Sequence, residues 1–324
     1  MNRMLSVDLV RGLAVIAMIE LHVFDAFASH TTRGSWYGPL AWFIGGGAAP
    51  LFVTLAGLAT ALAMRREGMR DTMIRRGVEI FSLGLFFRVQ EWALGGEGSS
   101  SRMLLRVDVL NCLGISIILT ALLLTWAKDW RFLAAFAAVW ILLTPLFAPG
   151  DMILPPFGHY FGGEQSYALF PLFPWTGYAF AGAALGTFAH GDDERMQRGA
   201  LAAAALYALV LTARLAFPDA LHFERTNPNP VFAFERATAS LGLIALARYL
   251  PFKTFLKNLG QHSLLVYWVH VDLCYGLLFH HWKRSLPWYA TFLATSILVS
   301  MCYLLVYSLK RKERPCPNSA LSPS

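Results

Sequence analysis

Long apolar runs separated by short polar or basic connections organise the chain, and each run approaches the roughly 17–25 residues that a helix needs to cross a bilayer. The runs predict helices near 7–27, 38–63, 74–94, 107–127, 131–148, 168–190, 198–217, 231–249, 259–280 and 286–309. The expected fold is therefore an all-α, polytopic membrane helix bundle of about ten spans. A single membrane domain over 1–312 with a disordered tail over 313–324 is the economical division. The longest connections, 149–167 and 218–230, hold Pro, Gly and aromatic residues.

Composition supports the bilayer as solvent. Hydrophobic residues make up 56% of the 324 positions and charged residues only 15%, with a mean hydropathy of +0.49, leaving too few polar side chains to cover a soluble globule. The net charge of +7 sits in short loops rather than along one face, which speaks for membrane orientation and against nucleic acid. With both termini placed in the cytoplasm, Arg65, Arg66, Arg70, Arg75, Arg76, Lys128, Arg131, Arg195, Arg198, Arg248, Lys253 and Lys257 fall on that side, as the positive-inside rule requires. The first run carries Asp8, Arg11, Glu20, His22 and Asp25 and lacks a small-residue cleavage site, so it is expected to stay as a functional helix. The four cysteines, Cys112, Cys274, Cys302 and Cys316, show no metal-ligand spacing and read as packing residues; no metal is expected.

The costly residues are the ionisable ones within apolar runs. Asp8, Arg11, Val15, Met18, His22 and Asp25 recur at three- and four-residue steps and share one face of the first helix. Asp8 and Arg11 can pair at one end; His22 and Asp25 can meet near the other. A helix-end ion pair and a satisfied buried hydrogen bond are the plain structural explanations, while a water-filled cavity is the functional one. His30 follows in the polar loop SHTTRGSWYG and suits a general base, or is an ordinary surface histidine. Gly45, Gly46, Gly47 and Pro50 allow either close helix packing or an interrupted helix lining a cavity. Further polar groups enter with RVDVLNCLG (Asp108, Asn111), HFERTNPNP, FERATAS, and the run holding Tyr267, His270 and Asp272. No Walker loop, HExxH or GxSxG is present. The residues alone thus leave an enzyme, a proton-coupled transporter or flippase, and a scaffold subunit open.

A resemblance narrows these alternatives. The segments RMLSVDLVRGLAVIAMIELHVF, HTTRGSWYG, APLFVTLAGLATALAMRR, RVDVLNCLGISIIL, LFPWTGYAFAGAALGTF and LGQHSLLVYWVH, in that order, resemble the catalytic domain of heparan-α-glucosaminide N-acetyltransferases. The resemblance implies a transmembrane acyltransferase that uses cytoplasmic acetyl-CoA to acetylate an amino sugar or glycan hydroxyl across the membrane. It implies an essential outer-loop histidine at His30, and it sets His22 and His262 where the family has asparagines.

On that footing the expected catalytic residues are His30, His22 and Asp25. The expected acetyl-CoA cations are Arg11, Arg65, Arg66, Arg75, Arg76 and Lys257, for the phosphates. Acceptor contacts are expected from Trp36, Asn111 and His270, with Tyr37, Trp92 and Tyr160 as further stacking surfaces. A glycan or small-molecule acceptor and the lipid bilayer are the implied partners, a homodimer is left open, and a bacterial inner membrane is the expected location because the chain lacks the extra outward domain and targeting peptides of lysosomal relatives.

Overall fold

Each apolar run folds as helix. In the computed structural model, which describes residues 4–94, 104, 106–147, 158–161, 169–217 and 229–312, the order is α1 (Leu5–Phe27), α2 (His30–Arg33), α3 (Tyr37–Gly45), α4 (Ala48–Ala63) and α5 (Met69–Leu94). There follow α6 (Val109–Trp126), α7 (Trp130–Leu142), α8 (Thr144–Phe147), α9 (Gly158–Phe161), α10 (Leu172–Ala189) and α11 (Asp193–Ala216). The chain closes with α12 (Pro230–Leu243), α13 (Lys253–Gln261), α14 (Ser263–Tyr275) and α15 (Trp288–Lys312). The expected tail 313–324 and the segments HFERTNP and 148–157 lie outside the described residues.

Among the described residues, 5 stretches are long and apolar enough to cross a membrane: Tyr37–Ala63, Val109–Trp126, Asp193–Ala216, Pro230–Tyr249 and Trp288–Arg311. The other predicted spans fall short for identifiable reasons. α1 and α5 carry several charges, α10 is diluted by glycine, alanine and threonine, and α7 and α14 are only 13 residues each. The protein is an integral membrane helix bundle.

Small residues decide which helices are innermost. A Cβ on Gly57 would strike the Ala179 carbonyl, and one on Gly182 the Thr54 carbonyl, so α4 and α10 cross backbone to backbone. The same device joins α1 to α13, where Gly12 meets the Leu256 carbonyl and Gly260 the Asp8 carbonyl. α1 is thereby enclosed by α3, α4, α13, α14 and α15.

The run predicted as one helix over 259–280 is divided. α13 ends at Gln261, α14 runs from Ser263 to Tyr275, and His280 and His281 lie in a separate 3-10 turn, His280–Trp282. The division follows from composition: α13 buries Leu256, Leu259 and Gly260 while Lys253 and Lys257 stay exposed, a pattern that suits an interfacial helix rather than a span.

The bundle has two chemically distinct ends. At one, Arg65 donates to the His190 carbonyl, the Trp130 ring meets Phe188 at 5.2 Å, and Lys310 Nζ reaches Asn258 Oδ1 at 2.6 Å and Gln261 Oε1 at 2.9 Å. This basic end gathers the connections 64–68, 127–129 and 190–192 with α13. At the other, Ser29 N donates to the Leu286 carbonyl at 2.9 Å and Leu286 N to that of Phe27 at 2.9 Å, fixing the end of α1 against the approach to α15.

Candidate active site

Within α1 the three- and four-residue steps do put the polar residues on one side, and α14 supplies their partners. His22 Nδ1 lies 2.9 Å from His270 Nε2, with the two rings stacked at 5.0 Å and 12°. His270 is completely buried, and its Nδ1 lies 2.6 Å from the Val266 carbonyl of its own helix. A carbonyl oxygen only accepts, so His270 Nδ1 carries the proton. In a neutral ring Nε2 must then accept, so His22 Nδ1 donates to it. The remaining nitrogen, His22 Nε2, is left with its lone pair and has no hydrogen-bond partner among the described residues.

Asp25, one turn further along α1, accepts from the Tyr275 hydroxyl at 2.9 Å and pairs with Arg33 at 3.4 Å. Arg33 also donates to the Ala28 carbonyl at 3.2 Å and to the carbonyl of Asp25 itself. The Tyr275 ring stands edge-on to His22 at 5.5 Å. Asp25 therefore reaches His22 through Tyr275 packing; the nitrogen that orients His22 belongs to His270.

A second network approaches from α5 and α6. Arg88, 5% exposed, binds Asp108 at 2.7 Å and also pairs with Glu91, while the Tyr267 hydroxyl donates to Asp108 at 3.0 Å. Tyr267 meets His270 edge-on at 5.8 Å, so the two networks join at the buried histidine. Beside them Gln90 donates to both oxygens of Asp272 at 3.0 and 2.8 Å. Burial of so many ionisable groups is tolerable because each carboxylate described here has a donor.

The other expected site residues are distributed as follows. His30 is exposed at the start of α2, whose first turn is capped by Ser29 Oγ accepting from Thr32 N at 3.2 Å. Trp36 is exposed and its ring lies 5.6 Å from Trp288. Asn111 is fully buried and engaged in the fold: its Oδ1 accepts from Asp108 N at 3.3 Å and its Nδ2 donates to the Phe81 carbonyl at 3.2 Å, closing the capping box of α6. Arg11 pairs with Asp8 at 3.6 Å, and Asp8 also accepts from Gln261 at 2.8 Å. Arg65 holds the His190 carbonyl, Arg76 pairs with Glu79 at 3.2 Å, and Arg66, Arg75 and Lys257 are exposed at the basic end. Sequence reasoning missed Tyr275, Gln90 and the anchoring role of Arg88. For Arg88 a signal existed, because Glu91 follows at i+3; the partners on α14 are too distant in sequence to leave one.

A family model described as heparan-alpha-glucosaminide N-acetyltransferase, catalytic, matches residues 3–217. The chain belongs to this family. Comparison with curated proteins gives no match. Membership implies a membrane-bound transferase, and the matched region runs from α1 through α11. His22, Asp25, His30, Arg88, Asp108 and most of the basic end lie inside it. The helix that completes this polar cluster, α14 with Tyr267, His270 and Tyr275, lies beyond it.

Proposed function

We propose that the protein transfers an acetyl group from acetyl-CoA, bound at the basic end, to an amino sugar or glycan hydroxyl at the histidine end. The observation that carries this reading is the directed pair His22–His270, which leaves His22 Nε2 as an unprotonated acceptor at the end of α1. Acetyl-CoA supplies a thioester whose C–S bond breaks as the new C–N or C–O bond forms. His22 Nε2 takes the proton from the attacking amine or hydroxyl and returns it to the departing sulfur. His270 holds the imidazole in the required tautomer, and Tyr275 with Asp25 restricts its rotation. His30, exposed on α2, belongs to the acceptor's approach in this reading, with Trp36 as a stacking surface.

The basic end fits a polyphosphate ligand because Arg66, Arg75 and Lys257 keep their cations exposed there. The excess of positive charge supports a cytoplasmic basic end and a histidine end across the membrane, a bacterial inner membrane being the proposed setting.

The deciding experiment compares His22→Ala and His30→Ala in detergent-purified protein, measuring CoA release with glucosamine as acceptor alongside acetyl-CoA binding. Loss of transfer in His22→Ala with binding retained is the expected result. Full transfer in His22→Ala but none in His30→Ala would move the base to the loop. One observation favours a second reading: the Tyr37–Ala63 span is interrupted at Gly46–Gly47, as in transporters. Proton-coupled uptake into liposomes without CoA, and no acetyl transfer, would establish that alternative.

A further inference from the structure

Between α7, α10, α11 and α12 lies a cavity of about 370 Å³, within the size range of small-molecule sites, roughly 300–1,000 Å³. Its origin is legible in the helices. α11 touches the bundle at its start, where Met196 and Ala200 are buried, and near its end, where Arg214 pairs with Glu235 at 2.9 Å. Between these anchors Ala204 packs against Gly242 of α12, and beside that contact Ala203 of α11, Ala138 of α7 and Ala181 of α10 line the cavity with short side chains. Only 6% of the apolar window of α11 is buried, although that window is among the most hydrophobic in the chain.

The walls are almost wholly carbon. Thr238, a polar exception, already donates its hydroxyl to the Phe234 carbonyl at 2.9 Å or that of Glu235 at 3.0 Å. Water would find too few partners there, so the cavity suits a hydrocarbon occupant. One end, however, is charged and aromatic: Arg198 lines it beside Trp130 and Phe188, and Arg131 lies over the Trp130 ring at 5.5 Å. Arg198 contacts Glu194 at 3.4 Å, with both side chains mostly exposed, a pairing of little strength that a phosphate can displace. The nearby carboxylate of Asp192 accepts from the backbone N–H groups of Glu194 and Arg195, and that of Asp129 from Arg131 N, while the Arg198 guanidinium stays mostly exposed and accessible to an anion.

We propose that this cavity is a binding site for a bilayer glycerophospholipid, one acyl chain lying between α7 and α11 and the phosphate on Arg198. The site is separate from the histidine end and does not depend on the reaction proposed for it.

Native mass spectrometry of the delipidated full-length protein, titrated with dioleoyl phosphatidylglycerol or with dioleoylglycerol, tests the assignment. Wild type is expected to retain one phospholipid and to hold dioleoylglycerol more weakly. Ala203→Phe, which fills the cavity, should abolish retention. Arg198→Gln should weaken the phospholipid by about tenfold and leave dioleoylglycerol unchanged, since a charge-assisted phosphate contact is lost. Equal retention of both lipids by wild type and Arg198→Gln would overturn the proposal, and so would undiminished retention in a folded Ala203→Phe. Should Ala203→Phe fail to fold, the exposed Arg198 variant and the comparison of the two lipids still decide the question.

Discussion

His22 and His270 meet at 2.9 Å with their rings 12° from parallel, joining α1 to α14 near the end of the bundle where Asp25 and Tyr275 also meet. The Val266 carbonyl makes this contact directional. A histidine at the end of such a chain behaves as an acceptor of defined orientation, whereas an isolated buried histidine would be free to adopt either tautomer.

The direction of the pair predicts unequal effects of replacing its members. His22→Ala should lower acetyl transfer by about 10²–10⁴-fold, the usual contribution of a general base. His270→Phe leaves the His22 N–H without its acceptor, at a cost of about 1–3 kcal/mol in stability. Its activity should fall less than that of His22→Ala, and His270→Gln, able to accept and donate in the same positions, should recover part of the loss. Turnover of the three variants, set beside detergent melting curves, checks the order.

Arg88 and Asp108 give a second, structural prediction. Asp108→Asn keeps the cap on α6 but leaves the buried guanidinium with Glu91 as its remaining carboxylate, and should destabilise by about 3 kcal/mol, at the low end for a broken buried pair. Pairing it with Arg88→Met removes the buried guanidinium and leaves as the remaining charge Glu91, whose side chain is partly exposed, so the double variant should melt closer to wild type than the single one. Thermal unfolding of both variants measures the difference.

Much of this arrangement was readable from local spacing, and its limits follow from the same fact. The Asp8–Arg11 pair and the shared face of Val15, Met18, His22 and Asp25 follow from helical periodicity, because residues three and four apart must be neighbours. What binds His22 is a residue on α14, and periodicity holds no information about which helix packs against which. Asn111 shows the converse: an amide expected to contact the acceptor is engaged by the cap of its own helix, a detail set by where α6 begins. The division at His262 was hidden because the apolar run read from 259 onward takes in the last residues of α13, where Leu259 and Gly260 are buried, and continues without a break in pattern into α14. Only the lysines on the exposed face of α13 mark it as interfacial.

At the basic end the side chains sort into those that hold the fold and those open to a ligand. Arg66→Ala and Lys257→Ala should each raise the KM for acetyl-CoA by about two- to fivefold with little change in kcat, the effect of removing an exposed charge contact worth up to ~1 kcal/mol. Arg65→Ala should instead lower the melting temperature as well, since its guanidinium joins the end of α4 to the His190 carbonyl. Steady-state kinetics with acetyl-CoA as the varied substrate, read together with melting curves, separates the two classes.

The crossing of α4 and α10 sets the frame on which both ends depend, and its glycines should be the least replaceable in the chain. At Gly182 an added Cβ meets the Thr54 carbonyl, and at Gly57 the Ala179 carbonyl, backbone atoms that cannot move aside without separating the helices. Gly182→Leu is therefore expected to give no folded, monodisperse protein. Gly68, in the connection after α4, differs in kind: its φ of 73° favours glycine, yet nothing lies within 4 Å of where a Cβ would stand. Gly68→Ala should cost only about 1–2 kcal/mol of backbone strain and leave the elution profile unchanged. Size-exclusion chromatography of the two variants distinguishes a steric requirement between helices from a conformational one within a turn, and normal elution of Gly182→Leu would show that α4 and α10 do not cross at contact distance.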